Sequence, residues 1–124
     1  YLLNKWFDNR NDALKGNVVE NDFPHLRYAD VVLMYAEALA ESGGSLDDAL
    51  VWLNKTRVRA GLDELTTDEV KSLAEFRREL ADERGREFAL EGHRWFDLVR
   101  LGLAVDYFRG LGYSSRSRRA RSKS

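Results

Sequence analysis

The residues best suited to chemistry stand together in one run, ERGREFALEGHRWFDLVRLG, at positions 83–102. It sets Glu83, Glu87 and Glu91 four residues apart, with Arg84, Arg86, Arg94 and Arg100 among them and His93 close by. Carboxylates at this spacing line one side of a helix. Such a stripe could supply a general acid and base, or oxygen ligands for a divalent cation. A bare row of Glu79, Glu83, Glu87 and Glu91 would also repel itself by roughly 0.2–0.5 kcal/mol per pair, so the interleaved arginines bear on the choice.

A helical wheel at about 100° per residue separates the possibilities. Glu75, Arg78, Glu79, Asp82, Gly85 and Arg86 fall on one side, and Leu73, Phe76, Leu80 and Phe88 on the other. Arg84, Glu87 and Glu91 fall inside the apolar arc. Charges there are costly unless paired and hydrogen-bonded, so the pattern predicts a partly buried ion network rather than a catalytic set. The expected pairs are Arg84 with Glu87 on the same helix, and Glu91 with Arg94 or Arg100 past Gly92. No nucleophile or second polar cluster joins them, and no catalytic residue is assigned. His25 and His93 do not form a metal-ligand spacing. With no cysteine in the chain, disulfides, cysteine-based zinc sites and thiol nucleophiles are excluded. No metal or other cofactor is implied.

The elements that must hold this run are helical. Residues 1–25 lack a clean period and are rich in Asn, Asp and Gly, which favours an irregular lead-in. After Pro24, a helix pattern begins near Leu26, with Ala29, Val32, Leu33, Ala36, Leu39 and Ala40 on one face, and Gly43-Gly44 ends it. Ser45 reads as the next N-cap, with Asp47 and Asp48 in the first turn. Leu46, Ala49, Leu50 and Leu53 form the buried stripe, and Gly61 ends that helix. So short a connection makes the pair an antiparallel αα-hairpin of tetratricopeptide (TPR) size, which needs neighbouring helices to cover its second face. The third helix starts at a capping box, either Thr66 with Glu69 or Ser72 with Glu75. Gly92 is expected to end or kink it, and Trp95 to Leu101 forms a short last helix closed by Gly102.

The chain has 124 residues, 44% of them apolar and 33% charged, as in a folded domain rather than a disordered tail. No apolar run reaches the roughly 20 residues of a membrane span. Residues 114–124 carry Arg116, Arg118, Arg119, Arg121 and Lys123 without an acid. The rest holds 15 basic against 21 acidic side chains, a net charge of −6. So acidic a body does not suit nucleic acid.

Three segments, LRYADVVLMYAEALAESG (26–43), ALVWLNKTRVRAGL (49–62) and residues 83–102, resemble in order and spacing the SusD/RagB family of surface-exposed, nutrient-binding lipoproteins of Bacteroidetes outer membranes. The matching positions in the first are Arg27, Tyr28, Ala29, Asp30, Leu33, Tyr35, Ala36 and Glu37. In the second they are Leu53, Asn54, Arg57, Arg59, Ala60, Gly61 and Leu62. In the third they are Glu83, Arg84, Glu87, Glu91, Gly92, Arg94, Trp95, Asp97, Leu98 and Arg100.

The resemblance implies an all-α protein with a TPR-like hairpin and further packed helices over 26–113. It implies a binding protein, not an enzyme, that takes an oligosaccharide or other nutrient. Its partner would be a SusC-like TonB-dependent transporter at the cell outer membrane. The membrane would be reached only through a lipidated N-terminal cysteine upstream of Tyr1, since the resemblance covers only the C-terminal part of a family member. On this reading Arg27, Tyr28, Asp30, Glu83, Arg84, Glu87, Glu91, Arg94, Trp95, Asp97 and Arg100 are a structural motif. The other reading is a TPR-like protein–protein scaffold.

Family members continue past Tyr113 with a segment of the type P-I-P-x-x-E, where this chain has SSRSRRARSKS. A truncated or frameshifted end is expected there, with a native disordered basic tail as the alternative and a nucleic-acid or anionic-surface contact as the third reading. Sugar sites use aromatic faces, which singles out the tryptophans. Trp52 and Trp95 are expected to pack in the core, which leaves Trp6 as the candidate ligand contact.

Overall fold

A computed structural model describes residues 24–111. Trp6, most of the lead-in and the tail 114–124 lie outside the described residues. Among the described residues the chain is all-helical, with no strand: α1 (Tyr28–Glu41), α2 (Leu46–Arg59), α3 (Leu73–Glu87), α4 (Arg94–Arg100) and α5 (Ala104–Gly110). The last is additional to the helices that the sequence pattern marks.

Helix α1 starts two residues after Leu26 because Arg27 is in extended backbone, φ −128° and ψ 156°. Ala29, Val32, Leu33, Ala36 and Ala40 are buried as their spacing requires. At its end the Gly44 N–H donates to the Leu39 carbonyl at 3.0 Å and Gly43 takes φ +80°. These are the marks of a Schellman stop, in which glycine adopts left-handed backbone without strain. A Cβ on Gly44 would lie 2.6 Å from the Leu39 oxygen, so the turn is closed to larger residues on that side too. Ser45 then caps α2, accepting the Asp47 N–H at 3.1 Å. The tight connection folds α2 back along α1.

The segment from Ala60 to Ser72 has no helix of its own, and side chains organise it. The Asn54 amide acts like a strand partner for Leu65, donating to its carbonyl and accepting its N–H, both at 2.9 Å. Both predicted capping pairs are used, at different places. The Glu69 carboxylate accepts from the Thr66 N–H at 3.0 Å, closing a turn that buries Val70. Ser72 caps α3, accepting the Glu75 N–H at 3.2 Å, while Glu75 reaches back to the Lys71 N–H at 2.8 Å.

The core lies where α1, α2 and α3 meet: Leu33, Ala36, Ala49, Leu53, Phe76 and Leu80 are fully buried. Helix α3 ends at Glu87, well before Gly92, where the sequence pattern places its end or kink. The Glu87 carbonyl is taken by the Arg27 guanidinium at 2.9 Å, and the Glu91 N–H turns to Phe88 at 3.0 Å instead. A long-range donor thus stops the helix where local propensity would let it run.

Phe76→Ala is expected to destabilise the chain by about 3–5 kcal/mol, the range for emptying a buried aromatic site. The measurement is the midpoint of urea unfolding followed by helical circular dichroism. A shift within about 0.5 kcal/mol, usual for surface positions, would contradict this core.

Candidate functional site

The three sequence motifs meet at one place. Arg84, on the inner face of α3, has 4% of its side chain exposed and lies between two carboxylates from different helices. Its Nη1 donates to Asp30 Oδ1 of α1 at 2.6 Å and its Nε to Asp97 Oδ2 of α4 at 2.8 Å. Arg27, just before α1, donates to Glu91 at 2.9 and 3.0 Å and to Glu87 at 2.8 Å. The Phe88 ring is shared between these two arginines, each guanidinium carbon 5.0 Å from its centroid. Cation–π contacts of this kind gain strength where water is excluded.

Further arginines close the outside. Arg59 pairs with Glu87, Arg57 approaches Glu83 at 3.7 Å, and Arg86 donates to Glu83 at 2.8 Å. Arg100 pairs with Glu37 and, at 2.9 Å, with Asp97, which it shares with Arg84. Helices α1 and α4 make no close backbone approach, so Arg84 and Arg100 span the gap between them. Over these two side chains runs an open groove of about 440 Å³, also lined by Met34, Glu37, Ala38 and Glu41. No buried side-chain nitrogen or oxygen among the described residues lacks a partner.

The expected pairings within the run are therefore replaced. Arg84 bonds to Asp30 and Asp97 rather than Glu87, and the cation for Glu91 is Arg27 rather than Arg94 or Arg100. The reason is geometric. With α3 ended at Glu87, Glu91 sits on a turn facing the start of α1, and the inward side of Arg84 faces α1 and α4 rather than its own helix. Arg57 and Arg59 join the site from the end of α2. Their Arg-x-Arg spacing beside Gly61 was the available signal, but spacing alone does not name a partner.

Three motif residues stand apart from the network. Tyr28 is exposed. Arg94 crosses α3, donating to the Ala81 carbonyl and to Asp82 at 3.1 Å, and lies 4.7 Å over the Tyr107 ring. Trp95, expected in the core, is 55% exposed, with the Phe108 ring 5.9 Å away. Helix α4 is short and directs Asp97 and Leu98 inward, which turns Trp95 and Phe96 out. Trp52 is half-buried against the core, with Tyr35 edge-on at 4.8 Å and Lys55 over its ring.

The electrostatics are those of a closed network. Burial pushes the Glu87 carboxyl up, but hydrogen bonds from Arg59 and Arg27 outweigh it and hold the group below the ordinary 4.5. Burial likewise works against the Arg27 charge, and the bonds to Glu91 and Glu87 reverse it, leaving the guanidinium harder to deprotonate than usual. A general acid at neutral pH needs a raised carboxyl pKa. Glu87 has moved the other way.

Removing one member of a buried ion cluster leaves its partners uncompensated, so Arg84→Met is expected to destabilise by about 3–5 kcal/mol. Combining it with Asp30→Leu and Asp97→Leu should recover much of the loss. A single variant that unfolds like the parent would mean that Arg84 is not held between these carboxylates. The depressed Glu87 value also sets a pH dependence. Its contribution is complete above the ordinary 4.5 and is lost as pH falls through the lower folded-state value. Stability should fall from about pH 5 toward pH 3, and less steeply in Glu87→Gln. Parallel profiles for the two proteins would refute that assignment.

Comparison with known proteins agrees with this architecture. Residues 1–122 match the model of the SusD family, a reach beyond the three motifs on both sides and past Tyr113, where the motif resemblance stops. The starch-binding protein SusD of Bacteroides thetaiotaomicron is 38% identical over 102 residues, 80% of this chain and 17% of that protein. Two SusD-like proteins of Formosa agariphila are 34% identical over 98 residues and 42% identical over 89. They are covered over 19% and 16% of their lengths and cover 75% and 70% of this chain. The chain thus spans less than a fifth of these relatives. No solved structure matches it. With most of the motif residues engaged in ion pairs and nearly the whole sequence matched by the family model, the chain belongs to the SusD family.

Proposed function

We propose that this chain is part of a carbohydrate-binding protein, a member of a SusC/SusD-type uptake complex at the cell outer membrane. The observation that carries this reading is the 38% identity to a starch-binding relative over 102 residues. The geometry supports binding over catalysis, because the motif carboxylates are engaged by arginines within the fold. Charges paired this way specify how helices assemble. They are poor candidates for proton transfer to a substrate.

In this reading the transporter partner is a SusC-like TonB-dependent protein, and a lipid anchor carried upstream of Tyr1 holds the assembly at the membrane. No helix among the described residues is long and apolar enough to cross a membrane. A TPR-like scaffold role is the second reading. The exposed Tyr28, Val31 and Tyr35 of α1 favour it, since apolar surface of this kind marks contact with other protein.

Native electrophoresis of the chain through gels cast with starch and with a panel of other polysaccharides tests the proposal. Retarded migration in at least one gel, reversed by the free oligosaccharide, is the expected result. Unchanged migration in every gel, together with capture of the transporter from solubilised outer membranes, would shift the reading to the scaffold.

A further inference from the structure

A second cavity, of about 210 Å³, opens between α3, α4 and α5. We propose that it is a subsite for a single neutral pyranose unit, such as one residue or the end of a glycan chain. This rests on the carbohydrate-binding reading above and adds a place and a ligand size to it.

Size and charge argue together. Pockets for drug-sized ligands run to roughly 300–1,000 Å³, so this one suits one sugar ring rather than an oligomer. Its charged groups are Arg78 and Arg94 against Asp82 and Asp106, two of each sign. A free anion or cation entering would meet a like charge as well as an opposite one, whereas a polyol needs both donors and acceptors. Arg78 has no ion-pair partner among the described residues, and Asp106 meets Arg109 only at 3.8 Å. A guanidinium donor and a carboxylate acceptor are therefore open to sugar hydroxyls. Leu103 and the Tyr107 ring supply apolar surface for the C–H face of the ring.

The site is also prearranged. Arg94 lies over one face of Tyr107 and is itself anchored on the Ala81 carbonyl and Asp82, which fixes the ring before a ligand arrives. Gly85 makes this possible. A Cβ there would sit 2.7 Å from Arg94 Nη1, the end of a flexible side chain, so alanine at this position would favour the helix but push the guanidinium off its place. Gly85 is thus a positioning residue for Arg94 and, through it, for Tyr107.

The test is titration of the 124-residue chain with maltoheptaose, and with the oligosaccharide of whichever polysaccharide retards it in native gels. Tyr107→Ala and Arg78→Ala should each weaken binding by about tenfold or more. Helix α5 buries no residue, so circular dichroism should report intact folding for Tyr107→Ala. Gly85→Ala should weaken binding while raising helicity, a combination that a purely structural role for the glycine does not give. Lys55→Ala on α2 serves as the control and should bind as the parent does. A parent chain that binds a glycan with unchanged affinity in all three cavity variants overturns the subsite and leaves the functional reading standing. A parent chain that binds no glycan in the panel sinks both.

Discussion

The assembly depends on one buried cation. Arg84 is removed from water, and a guanidinium in that position is tolerable only when carboxylates meet it directly. Asp30 and Asp97 do so from α1 and α4, on opposite sides in the sequence. The requirement is stringent: α4 must hold its register for Asp97 to arrive, and α1 must start where it does for Asp30 to face inward. A hydrophobic contact would tolerate a small slide of one helix on another. Two directed bonds at 2.6 and 2.8 Å would not.

Arg27 extends the same logic to the end of α3. By occupying the Glu87 carbonyl and gripping the Glu87 and Glu91 carboxylates, it stops the helix and pins the following turn. Phe88 then lies against both arginines, so apolar packing and ion pairing act on the same ring. The charged motif and the hydrophobic core are in this sense one structure. That explains how acidic and basic residues can recur on a helix face that also carries Phe76 and Leu80.

The network is internally neutralised and its carboxylates are turned inward, while aromatic side chains of α1, α4 and α5 are turned outward. The motif that reveals the family is thereby separated from the surfaces that can meet a ligand or partner. Arg94 links the two. It belongs to the third motif, yet the space left by Gly85 lets it cross α3 to the Tyr107 ring.

What depends on nearest neighbours along the chain was legible in the sequence. The spacing of Leu33, Ala36, Leu53, Phe76 and Leu80 predicted the buried faces, and Gly43-Gly44 and Ser45 the turn between α1 and α2. These are local geometric demands, met whatever the chain later packs against. That Arg84, Glu87 and Glu91 lie on the packed side was also readable from the helical period. Their partners were not. Arg27 and Glu91 are 64 positions apart, and Arg84 and Asp30 are 54. An arginine beside several carboxylates has no preferred partner until the helices dock. The inward turn of Asp97 and the outward turn of Trp95 were settled in the same way, by which face of a two-turn helix meets Arg84. The sequence by itself determined the helices, their buried faces and the need for compensating charge. Only the tertiary structure decided which charges compensate which, because that depends on distances through space that no local period encodes.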